Sequence, residues 1–165
     1  MSEAVVTPNG WLTLGTARYR AALGRAGVSA RKMEADEATP AGVLPLRRVL
    51  FRADRVGVFA CPVLREPLAP EDGWCDDAGH PAYNTQVRLP FDARHEVLWR
   101  GDAVYDVIGV LGWNDAPVAP RRGSAIFLHV ARPDYAPTEG CVALALPDLL
   151  ALLSAGVTSL KILPP

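Results

Sequence analysis

One histidine and one cysteine, twelve residues apart, are the sequence's best candidates for a catalytic pair. His129 lies near the end of an apolar run, residues 123–130, and Cys141 directly follows Gly140. A thiol attacks a carbonyl well only as a thiolate, and a nearby imidazole can accept its proton. A glycine before the nucleophile lets the backbone approach a substrate closely, so that the amides near Gly140 and Cys141 could point at a developing oxyanion. The pattern indicates nucleophilic acyl transfer.

The same two residues also have an ordinary structural interpretation. A single histidine on an apolar strand is often a hydrogen-bonded core residue, and a single buried cysteine often acts as a small hydrophobe. The spacing leaves room for a strand end, a loop and a return on an adjacent strand, which would bring His129 and Cys141 to one sheet edge. Spacing alone therefore leaves both interpretations open.

The elements that must position this pair are predicted to be mainly β, with one or two short helices. Fifteen prolines and fourteen glycines interrupt short apolar runs, which is typical of a β-rich fold. A helix is predicted between Pro147 and Gly156, because proline suits a first turn and glycine a C-terminus. A second short helix is predicted at residues 92–97, and residues 65–83 are expected to form a long irregular loop of the kind that often carries function. The predicted strands are residues 11–14, 18–23, 43–51, 57–63, 86–89, 103–111, 124–130, 141–146 and 159–163.

Length, charge and cysteine content exclude several classes of protein. The 165 residues fit one domain, residues 1–165, and a formal net charge of −1 argues against nucleic-acid binding. No stretch is long enough to insert into a membrane. Three widely spaced cysteines, Cys61, Cys75 and Cys141, indicate free thiols rather than a disulfide framework. Without a recognisable signal segment we expect a cytoplasmic protein, or a periplasmic one if the true start lies upstream.

Two distant segments resemble the YkuD family of L,D-transpeptidases. That family has a histidine at the end of a strand, matched by His129, and then Ser/Thr-x-Gly-Cys and an apolar residue, matched by Thr138-Glu139-Gly140-Cys141-Val142. Far upstream, Thr39-Pro40-Ala41-Gly42 is similar to the family's Thr-Pro-x-Gly turn before a core strand. The resemblance covers residues 11–163 and implies a YkuD-like β-sandwich.

The resemblance implies an activity on peptidoglycan stem peptides or muropeptides, with no cofactor. Cys141 would attack the carbonyl between the L-centre of a diamino acid and a terminal D-residue, and a thioester would form as the D-amino acid leaves. His129, oriented by a backbone carbonyl, would act as base and then acid. Thr138 would shape the site, and the amides near Gly140 and Cys141 would form the oxyanion hole.

The sequence departs from the family's commoner pattern in three places. Glu139 stands where a histidine is usual, and Ala143 stands where a polar residue, often Arg or Asn, is usual. The loop between His129 and Cys141 is also shorter than usual. These differences affect substrate contacts and the choice of acceptor rather than the nucleophile.

Residues 72–77 and 81–84 resemble a feature of a signal-less bacterial branch of the family. We interpret Trp74, Tyr83 and Asn84 as a candidate substrate wall, although a solvated acidic loop with Trp74 in the core would read the same way. Arg122 and Arg132 are candidate clamps for a substrate carboxylate, or else surface charges. The group Cys75, Asp76, Asp77 and His80 fits no usual zinc spacing, so no metal site is predicted.

Three functions remain open at this stage. Because the cytosol lacks polymeric wall, water is the expected acyl acceptor, which ranks an L,D-carboxypeptidase of wall recycling ahead of an L,D-transpeptidase. A catalytically inactive module that binds stem peptides or a partner is a second class. A cysteine amidase or protease acting on another substrate is the third. The oligomeric state cannot be read from the sequence.

Overall fold

The computed structural model describes residues 2–165, which form a mainly β fold with one helix. The strands in chain order are β1 (Ser2–Thr7), β2 (Trp11–Leu14), β3 (Ala17–Arg20), β4 (Val28–Ser29), β5 (Thr39–Pro40), β6 (Gly42–Phe51), β7 (Arg65–Pro67), β8 (Asp72–Cys75), β9 (Gln86–Arg88), β10 (His95–Val97), β11 (Val107–Leu111), β12 (Phe127–Val130), β13 (Val142–Leu144) and β14 (Val157–Ile162). The helix α1 spans Leu146–Ser154.

A nine-stranded mixed sheet in the order β13-β12-β11-β6-β14-β1-β2-β3, with β7 beside β6, dominates the fold. The long strand β6 joins its two halves, since residues 42–45 pair with β14 and residues 46–51 pair with β11. Ala22, just after β3, exchanges two backbone hydrogen bonds with Ala143 on β13, which links the two ends of the strand order. The result is the sandwich-like β fold that the resemblance implies.

The core lies between these strands and α1. Leu149, Leu152 and Leu153 of the helix are fully buried and pack with apolar residues such as Leu128 and Leu144 of the central strands. The helix begins where the sequence predicts, because Pro147 occupies its first turn and Asp148 complements the positive end of the helix dipole. Gly156 follows its end with φ +88°, a conformation that glycine adopts without strain.

A small separate sheet, β10-β8-β9, forms one wall beside the main sheet. The predicted helix at residues 92–97 is wrong, because residues 95–97 are β10 and pair with β8. The predicted irregular loop at residues 65–83 likewise contains β7 and β8. The predicted strand at residues 57–63 is absent from the described chain: Val58 is 98% exposed there, while Phe59 turns inward to pack on Phe51.

The main strand omitted from the prediction is β1. Ala4 and Val6 are completely buried while Glu3 and Val5 lie on the other face, which is the alternation expected of a strand. It pairs in parallel with β14 and antiparallel with β2, so the first strand of the chain lies beside the last. The alternation at residues 3–6 was the signal that could have identified it.

Candidate active site

The parallel pairing of β12 with β13 brings Cys141 and His129 to one cleft. Leu128 lies opposite Val142 and His129 opposite Ala143, so Cys141 enters β13 beside Phe127. Phe127 and His129 are two residues apart and share a face of the strand. The cleft, of about 520 Å³, is lined by both Cys141 and His129. We call it the main cleft.

His129 is held as a neutral ring with one nitrogen free. Its Nδ1 lies 3.0 Å from the Val130 carbonyl oxygen, which can only accept, so Nδ1 carries the proton and Nε2 does not. The Tyr105 ring packs edge-on against the imidazole, with centroids 5.3 Å apart. Burial lowers the pKa of His129 to about 4, since desolvation disfavours the imidazolium. The ring is therefore uncharged at neutral pH and offers Nε2 as a base.

The Cys141 thiol is buried and hydrogen-bonded to the backbone of the neighbouring chain segment. Its Sγ–H donates to the Ala125 carbonyl at 3.2 Å, and Sγ accepts from the Phe127 N–H at 3.3 Å. Burial, together with the negative charge of Glu96, raises the pKa of Cys141 to about 12. In the resting site, thiol and imidazole are therefore both neutral, and the thiol proton points at a carbonyl rather than at His129.

Thr138 organises the loop that carries the nucleophile. Its Oγ1 accepts from the Gly140 N–H at 3.1 Å and donates to the Cys141 carbonyl at 2.7 Å. The Gly140 N–H is thus already engaged, whereas the Cys141 N–H meets no protein acceptor within residues 2–165. Of the two amides expected to form the oxyanion hole, the Cys141 N–H is the one available to a substrate oxygen.

A positive φ and one close approach explain why the residue before the nucleophile is glycine. Gly140 has φ +143°, and a Cβ there would lie 2.8 Å from the Ala38 carbonyl oxygen. Ala38 directly precedes Thr39-Pro40, and the Thr39 hydroxyl accepts from the Gly24 N–H at 2.9 Å. Gly24 in turn forms a bridge to Thr138. The upstream Thr-Pro motif and the cysteine loop are therefore packed into one unit.

Charged side chains of both signs surround the pair in the main cleft. Glu96 on β10 is partly buried and accepts from the Tyr105 hydroxyl at 2.7 Å, and burial raises the pKa of its carboxyl group. Burial also raises the pKa of Asp76, whose Oδ1 has no hydrogen-bond donor and lies 3.5 Å from Arg94. Further lining residues are Arg25, Lys32, Glu34, Glu37, Arg100, Arg132 and Glu139.

Of the five candidate substrate-binding residues, Arg132 lines the main cleft. Its guanidinium is half exposed and lies 3.7 Å from Asp102. Arg122 is exposed and is not among the lining residues; its carbonyl accepts from the indole N–H of Trp113. Tyr83 is buried, and its hydroxyl donates to Glu34 at 2.6 Å.

Trp74 and Asn84 lie on a second, smaller cavity of about 210 Å³. The Trp74 ring packs edge-on against Phe127, with centroids 5.0 Å apart, so it supports the strand that carries His129. The buried Asn84 amide uses its hydrogen-bonding groups internally: Oδ1 accepts from the Trp74 indole and the Ala125 N–H, and Nδ2 donates to the carbonyls of Trp113 and Asn114. Both residues hold the segment to which the Cys141 thiol is bonded.

The remaining cysteines and the acidic loop show no sign of a second centre. Cys61 donates to the Val63 carbonyl, and burial raises the pKa of the enclosed Cys75 thiol. Within residues 2–165 no three His, Cys, Asp or Glu side chains come together as a metal site would require. The same residues include no helix with the length and apolar character needed to cross a membrane.

Comparison with known families decides the lineage of the chain. Residues 4–158 match the family described as YkuD, L,D-transpeptidase catalytic domain. The chain belongs to the YkuD family. No curated protein matches it. Membership confirms the resemblance drawn from the two motifs, and it assigns the chain to a family whose activity is cysteine-dependent L,D-transpeptidase chemistry on peptidoglycan peptides.

Sequence reasoning did not single out Lys32, Glu96 or Tyr105 as members of the YkuD cleft. They lie on three separate segments, and only the folded chain brings them to Cys141 and His129. For Tyr105 and Glu96 the sequence offered no pattern, since neither stands beside the cysteine motif. For Lys32, one of only two lysines beside fifteen arginines, the sequence likewise offered no pattern that would place it in the cleft.

Proposed function

We propose that this YkuD domain hydrolyses the L,D peptide bond before the terminal D-Ala of a peptidoglycan tetrapeptide, with Cys141 as nucleophile and His129 as general base. The observation that carries the proposal is that the thiol and the imidazole open onto the same cleft, which is lined by charges of both signs. A stem peptide carries carboxylates and a diamino-acid ammonium, so such a lining complements it.

The chemistry follows from the two hydrogen-bond networks. On substrate binding the Cys141 S–H leaves the Ala125 carbonyl and turns to Nε2 of His129. Sulfur bonds to the scissile carbonyl carbon while His129 takes the thiol proton, and the Cys141 N–H donates to the oxyanion. When the C–N bond breaks, His129 returns the proton to the departing amine of D-Ala. A thioester to Cys141 remains.

Deacylation repeats the sequence with water. His129 removes a proton from the water as its oxygen attacks the thioester carbonyl, and the Cys141 thiolate leaves and recovers that proton. Because both groups are neutral in the free site, no charge separation precedes binding. Proton transfer therefore accompanies C–S bond formation instead of preceding it.

The proposed compartment favours water over an amine acceptor. We place the enzyme in the cytosol, which holds no polymeric wall to supply an amine, so water would take the acyl group and the enzyme would trim released muropeptides for wall recycling. The main cleft, of about 520 Å³, lies in the size range of sites that bind one small ligand, about 300–1,000 Å³.

The arginines of the cleft rim are the proposed carboxylate contacts. Arg132 and Arg94 are more than half exposed, and each has one acidic neighbour at 3.5–3.7 Å, which leaves donors free for a ligand. The glutamates Glu96 and Glu139 lie near the thiol and offer a negative potential to the diamino-acid ammonium. Arginine suits this role because its fork binds a carboxylate through two parallel hydrogen bonds.

Mass spectrometry of reactions with a disaccharide tetrapeptide tests the proposal. Wild-type protein and the Cys141→Ala variant are incubated with the substrate, with and without an excess of a D-amino acid such as D-Met. We expect the wild type alone to release D-Ala and to yield tripeptide in both reactions. Cross-linked dimers or D-Met exchange as the main product would instead establish the transpeptidase. A tetrapeptide left intact by the wild type would refute both.

One observation favours a second candidate, a module that binds stem peptides without cleaving them. The Cys141 thiol is buried, neutral and bonded to the backbone on both sides, as a structural cysteine would be. Such a module would bind the tetrapeptide, seen by calorimetry, without releasing D-Ala. Binding that is equal in the wild type and in Cys141→Ala, with no turnover, would support this candidate and exclude catalysis.

A further inference from the structure

Lys32 is a buried cation beside the nucleophile loop. Its side chain is only 2% exposed, and its ammonium donates to Asp36 Oδ1 at 2.5 Å. Lysine is among the residues least often buried completely, because its charge loses hydration. Here the aliphatic part of the Lys32 side chain is enclosed by protein, and Lys32 is among the residues that line the main cleft.

Two glycines make room for this lysine. A Cβ on Gly123 would stand 3.0 Å from Lys32 Cε, and a Cβ on Gly140 would stand 3.3 Å from Lys32 Nζ. The side chain therefore fits between the segment that leads to Ala125, the thiol's acceptor, and the glycine that precedes Cys141. The ammonium therefore lies against the backbone of Gly140, next to the residue whose sulfur attacks during acylation.

Asp36 fixes the position of the ammonium. Its two oxygens also accept from the Met33 and Ala38 backbone N–H groups, and these bonds together with Lys32 lower the pKa of the carboxyl group against the effect of burial. The Asp36 carboxylate therefore stays ionised and is held in one orientation by the loop backbone. Because the carboxylate is fixed, the Lys32 ammonium bound to it is fixed as well.

The other charged groups around Cys141 act in the opposite direction to Lys32. Glu96 from β10 and Glu139 from the cysteine loop disfavour a negative charge on sulfur, while the Lys32 charge favours it. His129 and Tyr105, two further titratable groups of the main cleft, are neutral, since burial lowers the pKa of the imidazole and raises that of the phenol. The other charged groups of the cleft, Arg25, Glu34, Glu37, Asp76, Arg94, Arg100 and Arg132, are not among the main influences on the Cys141 thiol. Lys32 therefore acts against the two carboxylates next to the nucleophile, of which Glu96 has the larger effect on the thiol.

We propose that Lys32 is a positioning residue of the cysteine chemistry, whose fixed ammonium against Gly140 stabilises the negative charge formed at Cys141 and its oxyanion. The inference extends the proposed function, yet part of its test needs no peptide substrate. A small alkylating agent reacts with the thiolate, so the alkylation rate depends on how well the site stabilises negative charge on sulfur.

The test follows the alkylation rate of Cys141 by iodoacetamide from pH 6 to 10, using peptide mass spectrometry to separate Cys141 from Cys61 and Cys75. Lys32→Met removes the charge at similar length, and Lys32→Gln removes it but retains a donor for Asp36. Lys161→Met, at the exposed lysine of β14, is the matched control. Both Lys32 variants should slow Cys141 alkylation at pH 8 by about tenfold and shift its pH profile upward.

Electrostatic and structural roles are separated by two further measurements. Glu139→Gln, at an exposed position, should speed Cys141 alkylation, which is the opposite sign. Fast labelling of the buried Cys75 would reveal a variant that has unfolded. If Lys32→Met unfolds, only Lys32→Gln is compared with the wild type. Unchanged Cys141 profiles in folded Lys32 variants would overturn the inference, as would a normal profile in Lys32→Gln beside a slow one in Lys32→Met.

The two proposals fail in different ways. A Lys32 effect on alkylation without any D-Ala release would keep the inference and refute the carboxypeptidase. D-Ala release with unchanged kcat/KM in both Lys32 variants would keep the carboxypeptidase and refute the inference. If both hold, the Lys32 variants should lose about tenfold in kcat/KM with little change in KM, since the charge acts on the reacting atoms.

Discussion

At the scale of single residues, the site is a neutral thiol and a neutral imidazole rather than a preformed ion pair. Burial produces both states, because it disfavours the thiolate of Cys141 and the imidazolium of His129 alike. The sequence predicts that the imidazole accepts the thiol proton, and in the proposed mechanism this transfer takes place at the moment of attack. The Ala125 carbonyl holds the proton until then.

The pH profile of kcat/KM should report the unusual environment of His129. Because burial lowers its pKa to about 4, the imidazole remains an unprotonated base down to about pH 5. We expect kcat/KM to begin to fall near pH 4 rather than near pH 6.5, and to decrease about tenfold for each pH unit below 4. Circular dichroism at each pH separates this loss from unfolding. An acid limb at pH 6–7 would show that the ring is solvated.

Substitution of Thr138 should impair turnover more than folding. Thr138→Val keeps the shape but removes the hydroxyl that joins the Gly140 N–H to the Cys141 carbonyl. Loss of two local hydrogen bonds frees the loop, and we expect kcat to fall by about tenfold with KM nearly unchanged. Thr138→Ser, which keeps the hydroxyl, should retain most of the activity. Equal losses in the two variants would contradict this role.

At the scale of elements, the two strands that carry the cysteine and the histidine were predictable, but their relative direction was not. The sequence predicts two neighbouring strands, and the structure contains them as β12 and β13. It did not predict that they run parallel. A parallel connection needs about a dozen residues, and residues 131–141 provide barely that length. A short loop with proline and glycine suits an antiparallel hairpin as well as a parallel crossover connection, so the local pattern could not distinguish the two strand directions.

The substrate-wall prediction for Trp74 and Asn84 can be separated from a structural role by one variant. Asn84→Ala removes the acceptor of the Trp74 indole N–H and the Ala125 N–H. It also removes the donor to the carbonyls of Trp113 and Asn114. We expect a loss of about 3 kcal/mol or more in the free energy of unfolding, measured in urea. Thr85→Ala, at an exposed neighbour, should cost little. Unchanged stability with a raised KM would instead support a substrate contact.

At the scale of the whole molecule, the cleft depends on backbone hydrogen bonds between the N-terminal segment after β3 and the segment that carries the cysteine. Ala22 after β3 bonds to Ala143 on β13, and Thr138 bonds to Leu23 and Arg25, so the N-terminal segment braces the cysteine loop. The sequence indicated a β-rich fold and the helix at its correct place. It could not indicate Lys32, Glu96 or Tyr105 as cleft residues, because their proximity to Cys141 arises from long-range packing that no local pattern encodes.

The core beneath α1 should affect stability without affecting chemistry. Leu152 is completely buried among the central strands, so Leu152→Ala leaves a cavity and should cost about 2–5 kcal/mol in thermal or urea unfolding. Leu150→Ala, on the partly buried side of the same helix, should cost less. Both variants should keep kcat/KM for the tetrapeptide near the wild-type value well below the melting temperature. A selective loss of activity in Leu152→Ala would contradict this separation of core from cleft.

The most direct test of the central claim is the intact mass of the protein, quenched in acid during turnover of the disaccharide tetrapeptide and followed by peptide mapping. We predict that the wild type carries a mass increase equal to the acyl tripeptide, mapped to Cys141 and absent from Cys61 and Cys75. Cys141→Ala should show neither the adduct nor D-Ala release. D-Ala release by Cys141→Ala, or an adduct mapped to another residue, would contradict the account.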